Sequence, residues 1–177
     1  MSQHISAERN KQIIKMDKTQ FKNHELLQIV KSQFMIDIDG DHGLQHWERV
    51  FENTQLLSNY YGIESDVFEL FAMLHDSKRE NEFSDIGHGS RAAIFAKELI
   101  STKKINISKE DQRRLLFACS NHTIANENAK LYNDLVVQIC FDADRLDIGR
   151  VGITPQEDYF QTEYAKKLVR KKCYLVI

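Results

Sequence analysis

Apolar residues recur at a spacing close to one helical turn along nearly the whole chain, and few residues interrupt that pattern. The 177 residues include one proline and seven glycines, so little in the sequence breaks a helix or forces a tight turn. An amphipathic helix places apolar residues at i, i+3, i+4 and i+7, whereas a half-buried strand alternates strictly. The pattern therefore predicts an all-α fold, a compact helical bundle of about six to seven helices.

Composition favours one domain in a reducing compartment. Hydrophobic residues make up 42% of the chain, enough for one sizeable core. We expect a flexible leader over residues 1–18 and a single helical domain over residues 19–177. No stretch reaches the ~20 apolar residues of a membrane span. The three separated cysteines form no paired motif, which predicts reduced thiols and a cytoplasmic location; they are Cys119, Cys140 and Cys173.

The charge balance excludes one class of partner. A formal net charge of −2 provides no overall field for nucleic acid, and no nucleic-acid-binding motif is present. We therefore expect neither a nucleic acid duplex nor a membrane as partner. Oligomeric state is not determined by these features.

Capping residues divide the pattern into separate helices. We expect Thr19 to cap the first helix, Gly62 to end the second, and Ser108 to begin a later one. Thr154, followed by Pro155 at the first turn, predicts the start of the last helix. Residues 77–87 and 125–133 lack periodicity, and loops of that length in a small domain are often functional.

Four histidines on or beside the predicted helices occur in an order that aspartates complete. His75 and Asp76 end an especially apolar helix, and burying such polar groups without partners costs several kcal/mol, which a bound cation can offset. Imidazole suits first-row metals, and a neighbouring carboxylate can bridge two ions. The order predicts a site for one or two divalent metals; its members are His46, His75, Asp76, His88, His122 and the run from Asp142 to Asp147.

In the same order, five segments resemble the motifs of the HD-domain superfamily of metal-dependent phosphohydrolases. The resemblance implies an HD-like helical fold and a phosphohydrolase active site, in the variant of the superfamily with the fuller His, His-Asp, His, His, Asp ligand set. The matching segments are Asp41–Val50, Leu74–Arg79, His88–Ala93, Asn121–Thr123 and Ala143–Asp147.

The resemblance also implies a role for each ligand. His46, His75, Asp76 and an aspartate of the last motif would bind one metal. His88 and His122 match the histidines of members that bind a second metal, with Asp76 as the bridging carboxylate. The metal could be Mn, Fe, Zn, Ni, Co or Mg, because such ligands accept several divalent ions.

Two aspartates compete for the last ligand position. Asp142 and Asp144 are two residues apart, so they point to different faces of a helix. Asp144 is preferred because Ala-Asp-x-x-Asp resembles the form of this motif in several branches of the superfamily. Asp142 lies on the apolar face with Ile139 and Leu146, and it remains an alternative ligand.

Basic residues near Asp76 predict a phosphate-binding site. Lys78 and Arg79 follow Asp76 directly, and Arg91 lies one turn into the helix that His88 begins. Arginine binds phosphate through two parallel hydrogen bonds, and lysine binds it as a point charge. We expect Asp76, Lys78 and Arg79 to be catalytic, and Lys78, Arg79 and Arg91 to bind substrate. Three further residues are expected to hold the ligands in place: Arg49, Arg145 and Asp147.

Together these features predict hydrolysis of a small phosphate ester or nucleotide by metal-activated water. One alternative is an HD-type diiron oxygenase acting on a small organic or phosphonate substrate, because the fuller ligand set also occurs in such enzymes. Another is a non-catalytic binding module that a metal stabilises.

Overall fold

The described part of the chain forms a helical bundle that packs around one short apolar helix, Val67–Leu74. The computed structural model describes residues 20–124 and 133–172. Within these ranges the chain forms helices and 3₁₀ turns but no strand, which confirms the all-α prediction. The α-helices are α1 (His24–Gln33), α2 (Leu44–Tyr61), α3 (Val67–Leu74), α4 (His88–Ser101), α5 (Lys109–Asn121), α6 (Leu135–Leu146) and α7 (Glu163–Arg170).

Local chemistry at the helix ends agrees with several of the predicted boundaries. Gly62 ends α2 in the left-handed conformation, with φ of 66°, which a residue with a side chain rarely adopts. Ser108 caps α5 by accepting a hydrogen bond from the amide of Asp111. Asn23 caps α1 through the amide of Leu26, so the first helix starts four residues later than predicted from Thr19, which itself lies outside the described residues.

The predicted start of the last helix at Thr154 and Pro155 is wrong. Between Thr154 and Thr162 the chain forms only the 3₁₀ turn Glu157–Tyr159. The cap of α7 is Thr162, eight residues after the predicted cap Thr154. The buried Asp142 carboxylate accepts hydrogen bonds from the amides of Gln161 and Thr162, each at 2.7 Å. It also accepts one from the Thr162 hydroxyl at 2.6 Å. A tertiary contact from α6 thus sets where α7 begins.

The short helix α3 is the centre of the core. Apart from Glu69, every residue of α3 is buried, and the helix packs against α1, α2, α4, α5 and α6. Burying each large apolar side chain contributes about 2 kcal/mol, so α3 is held mainly by its neighbours. Because its end lies deep in the bundle, the residues that follow it directly, His75 and Asp76, are delivered to the interior.

Other predictions meet the structure in part. Cys119 and Cys140 are buried free thiols, while Cys173 and the leader lie outside the described residues. None of the helices described is both long and apolar enough to span a bilayer. The extent of the single domain stays a prediction.

Replacement of Asp142 by alanine should lower the free energy of unfolding by about 3 kcal/mol, because three buried donors lose their charged acceptor. Urea denaturation monitored by circular dichroism measures the change. The exposed Asp158 offers a matched control, and Asp158→Ala should change stability by less than about 0.5 kcal/mol. Equal stability of the two variants would contradict the role given to Asp142.

Candidate metal centre

The ends of five helices bring imidazoles and carboxylates into one cluster. His46 lies in the first turn of α2, and His88 is the first residue of α4. His75 and His122 directly follow α3 and α5, and Asp144 lies in the last turn of α6. All four histidines are at most 3% exposed, so the cluster is closed to bulk water on most sides.

One half of the cluster is built around His46 and His75. Their Nε2 atoms lie 3.0 Å apart. Oδ2 of Asp76 is 3.6 Å from each of these nitrogens. Oδ1 of Asp144 is 3.4 Å from Nε2 of His46 and 3.7 Å from Nε2 of His75. Two nitrogens and two oxygens therefore face a common point.

The other half is built around His88 and His122, whose Nε2 atoms lie 2.9 Å apart. Oδ1 of Asp76 is 3.0 Å from Nε2 of His88 and 3.6 Å from Nε2 of His122. The two oxygens of Asp76 thus face different histidine pairs. Asp76 occupies the position of a carboxylate that bridges two sites.

Hydrogen bonds at Nδ1 decide the tautomer of each imidazole. Nδ1 of His46 lies 2.7 Å from the Asp147 carboxylate. Nδ1 of His75 faces the carbonyl of Phe71 at 3.1 Å, and Nδ1 of His122 faces the carbonyl of Cys119 at 2.8 Å. In the same way Nδ1 of His88 contacts the carbonyl oxygen of Asp85. These oxygens only accept, so each Nδ1 carries the hydrogen and each neutral ring has a lone pair at Nε2.

The tautomers make the cluster fit a cation. In neutral rings, the Nε2 lone pairs of His46 and His75 would face each other, as would those of His88 and His122. Two lone pairs repel, and no hydrogen lies between them to form a bond. A positive ion between each pair would remove the repulsion, and its bonds to imidazole nitrogen and carboxylate oxygen are those of first-row metal sites. The residues present therefore fit one or two divalent metals.

The charge states suit metal binding as well. Burial lowers the pKa of His75 to about 3, so this ring is neutral at pH 7, as a ligand must be. Burial opposes ionisation of Asp76, and without a metal its pKa falls below the usual range because protonated histidines beside it outweigh burial; Asp76 in turn raises the pKa of His122 against burial. A metal ion would provide this positive charge while the rings stay neutral. The pKa of Asp144 is lowered in the same way, against burial, chiefly by His46 and His75. The cluster thus holds two buried carboxylates in their ionised form.

Residues outside the cluster hold His46 and His122 in position. Asp147 accepts from His46 and, through its other oxygen, from Nε of Arg49 at 2.7 Å. Arg145 donates to the carbonyl of Tyr159 and, at 3.4 Å, to that of His122. The structure therefore places Arg49, Arg145 and Asp147 beside the predicted ligands.

A glycine allows the second histidine pair to meet. A Cβ atom built at Gly89 would lie 2.6 Å from the carbonyl oxygen of Cys119 and 3.3 Å from Cε1 of His122. Any side chain at Gly89 would push the start of α4 away from the end of α5. The distance between His88 and His122 depends on this close approach.

The structure separates the two competing aspartates. Asp144 joins the cluster, whereas Asp142 points to the opposite side of α6 and binds the start of α7. Burial raises the pKa of Asp142 to about 6, against the hydrogen bonds that it accepts from Gln161 and Thr162.

Of the three predicted phosphate ligands, only Arg79 lies beside the cluster. Arg79 is buried and lines a cavity of about 210 Å³ beside the cluster. The ammonium group of Lys78 lies 4.1 Å from the ring centre of Phe95 and 3.3 Å from Oε1 of Gln33. Arg91 pairs with Asp85 at 2.6 Å. Neither Lys78 nor Arg91 lines the cavity, so the structure does not bring them to the metal centre.

Sequence reasoning missed Arg150, which also lines the cavity. Its guanidinium lies 3.8 Å from Oδ2 of Asp76 and 3.9 Å from Oδ1 of Asp144. Arg150 belongs to the 3₁₀ turn Ile148–Val151, after the end of α6, where helical periodicity no longer indicates direction. Only its nearness to the Asp142–Asp147 run could have drawn attention to it.

Two ions per chain are expected to bind, and titration calorimetry of chelator-treated protein with Mn²⁺ or Zn²⁺ measures the number. At a metal concentration 100 times Kd, each occupied site should add about 2.7 kcal/mol of stabilisation, which thermal unfolding detects. His88→Ala should reduce the number to one, because only one half of the cluster loses a ligand. His24→Ala, which removes an exposed histidine on α1, is the control and should bind as wild type does. Unchanged binding in the His88 variant would contradict the division of the cluster.

The fold has a close counterpart among solved structures. The crystal structure of a predicted HD superfamily hydrolase from an uncultured Thermotogales bacterium aligns with a TM-score of 0.65 and 26% sequence identity, covering 89% of this chain and 91% of that chain. No protein-family model and no curated protein matches the chain. The ordered motifs, the shared fold and the buried cluster together confirm the resemblance of this chain to the HD superfamily, with the fuller His, His-Asp, His, His, Asp set.

Proposed function

We propose that the protein is a metal-dependent phosphohydrolase that uses two divalent ions to hydrolyse a small phosphate ester. One observation carries the proposal: Asp76 lies between two histidine pairs whose lone pairs converge, beside a cavity that three arginines line, two of which, Arg79 and Arg150, flank Asp76. The similarity to a predicted HD superfamily hydrolase supports hydrolase chemistry at the general level.

Each ion has a defined set of protein ligands in this proposal. His46, His75, Asp144 and Asp76 would hold one ion, and His88, His122 and Asp76 would hold the other. Three or four protein ligands leave coordination positions for water and substrate. When bound, such ions lower the pKa of water toward neutrality and polarise phosphoryl oxygens.

Two arginines provide positive charge for the phosphoryl group. Nη1 of Arg79 lies 3.5 Å from Oδ1 of Asp76, and Nη2 of Arg150 lies 3.8 Å from Oδ2, so the guanidinium groups flank the bridging carboxylate. Arg79 is held by the carbonyl of Phe83 at 2.6 Å, and Arg150 by the carbonyl of Asp41 at 2.9 Å. Fixed cations of this kind stabilise charge that develops on a phosphoryl group without rearranging during the reaction.

A diiron oxygenase is a second candidate, because four histidines and a shared carboxylate also suit iron. The substrate of the oxygenase would be a small organic molecule or a phosphonate. Iron retained through anaerobic purification, with oxygen uptake when such a substrate is added, would replace the hydrolase proposal with this one.

Hydrolysis is tested by removing metal with a chelator, restoring Mn, Co, Ni, Zn, Fe or Mg in turn, and measuring phosphate released from monoesters and nucleotides. Activity should disappear with chelation and return with at least one metal. Arg79→Ala and Arg150→Ala should each lower kcat/KM by about 100-fold, the typical effect of losing one electrostatic contact to the transition state.

Arg113→Ala is the matched control, because Arg113 is an exposed arginine on α5 and its loss should leave kcat/KM unchanged. Absence of phosphate release with every metal and substrate would contradict the proposed reaction. Bound metal without turnover of any kind would instead favour the non-catalytic binding module.

A further inference from the structure

Exposed apolar side chains border the cavity at the metal centre. Ile148, Val151 and Ile153 line it together with Arg79 and Arg150, and we call these three residues the apolar rim. Val151 is 38% exposed and Ile153 is 45% exposed. The cavity is therefore polar at the metal cluster and apolar at its edge.

Neighbouring segments extend the apolar surface. Ile124 is 59% exposed and directly follows Thr123, which lines the cavity. Phe83 is 87% exposed, and its carbonyl group is the acceptor that holds the cavity residue Arg79. Exposed apolar residues gathered near one cavity often mark a binding surface, because leaving them in water costs free energy.

The backbone presents the apolar rim in a defined way. Gly152, between Val151 and Ile153, has φ of 76°, a left-handed conformation that favours glycine. The side chains on both sides of this glycine line the same cavity. Arg150 lies in the same turn, so the cation and the apolar rim are held together by one short segment.

The size of the cavity limits what it can enclose. Its volume is about 210 Å³, below the ~300–1,000 Å³ typical of pockets that enclose a whole drug-sized ligand. A phosphoryl group and the atoms next to it would fill the polar part. The rest of a larger substrate would then lie against the apolar rim.

We propose that the substrate is an amphiphilic phosphate monoester with an apolar alkyl or aryl leaving group. The inference rests on the proposed function and names its substrate class. The phosphoryl group lies between Arg79 and Arg150, and the leaving group contacts Ile148, Val151 and Ile153. The oxygen of water forms a bond to phosphorus, the ester P–O bond breaks, and the leaving oxygen takes a proton, which yields an alcohol or phenol and inorganic phosphate.

Charge near the cavity favours a small amphiphile over an anionic membrane surface. The loop of residues 77–87 carries Lys78 and Arg79 against Glu80, Glu82 and Asp85, so it has no excess of positive charge. A surface that binds anionic lipid headgroups needs such an excess. The positive groups of the site are instead inside the cavity, where one phosphoryl group can reach them.

Binding of methyl-, butyl- and hexylphosphonate to the metal-loaded protein tests the inference without turnover, because the P–C bond resists hydrolysis. Anaerobic titration calorimetry gives Kd for each compound. We expect Kd to fall by roughly threefold for each added methylene that contacts the apolar rim. The heat capacity change should become more negative with chain length. Equal Kd values for the three compounds would overturn the inference.

Variants locate the apolar contact. Val151→Ser combined with Ile153→Ser should weaken hexylphosphonate binding about tenfold, leave methylphosphonate binding nearly unchanged, and so lower the ratio of hexyl to methyl affinity by about the same factor. The control is Ile94→Ser, which changes an isoleucine on α4 that is 60% exposed and does not line the cavity, and which should keep the wild-type ratio. A wild-type ratio in the double variant would overturn the assignment to the apolar rim.

The same series, as phosphate monoesters, separates this inference from the proposed function. Hydrolysis with kcat/KM rising from methyl to hexyl phosphate supports both. Hydrolysis that is independent of chain length overturns the substrate class and leaves the phosphohydrolase intact. A graded phosphonate affinity without hydrolysis of any ester overturns the phosphohydrolase and supports the amphiphilic ligand.

Discussion

The burial of Asp76 among four imidazoles is the constraint on which the rest of the site depends. A carboxylate that is 2% exposed is stable in its charged form only if its neighbours compensate it, and here each oxygen faces a different histidine pair. The same imidazoles direct lone pairs at one another. The centre therefore needs positive charge, and a cation coordinated by each histidine pair together with Asp76 would meet both needs.

Helix ends provide the orientation that this arrangement requires. The last carbonyl groups of a helix have no partner within it, and in α3 and α5 they accept from the Nδ1 atoms of His75 and His122. The hydrogen bond that completes the helix end thus also turns Nε2 toward the cluster. Since α3 is the most buried helix of the bundle, its end places the ligands far from water.

The region beside the cluster divides by polarity. Arg79 and Arg150 bring fixed positive charge to the cavity from two different segments, and the apolar rim borders the same space. Both arginines are held by backbone carbonyls, so their positions depend on the loop conformations and not on a substrate. The two arginines and the apolar rim therefore lie in the turns after α3 and α6, while the candidate metal ligands lie at the helix ends.

Sequence alone determined the helical class, the helix ends at Gly62 and Ser108 and the four histidines of the cluster, because helical periodicity and capping are local properties. It also indicated Arg79, which directly follows the motif. Tertiary structure decided the rest. It selected Asp144 over Asp142, since only packing against α7 shows which face of α6 meets the cluster. Tertiary contacts also set the cap of α7 at Thr162, pair Lys78 and Arg91 with residues away from the cavity, and place Arg150 beside Asp76. Sequence could not indicate these contacts, because long-range hydrogen bonds and turn geometry leave no periodic pattern along the chain.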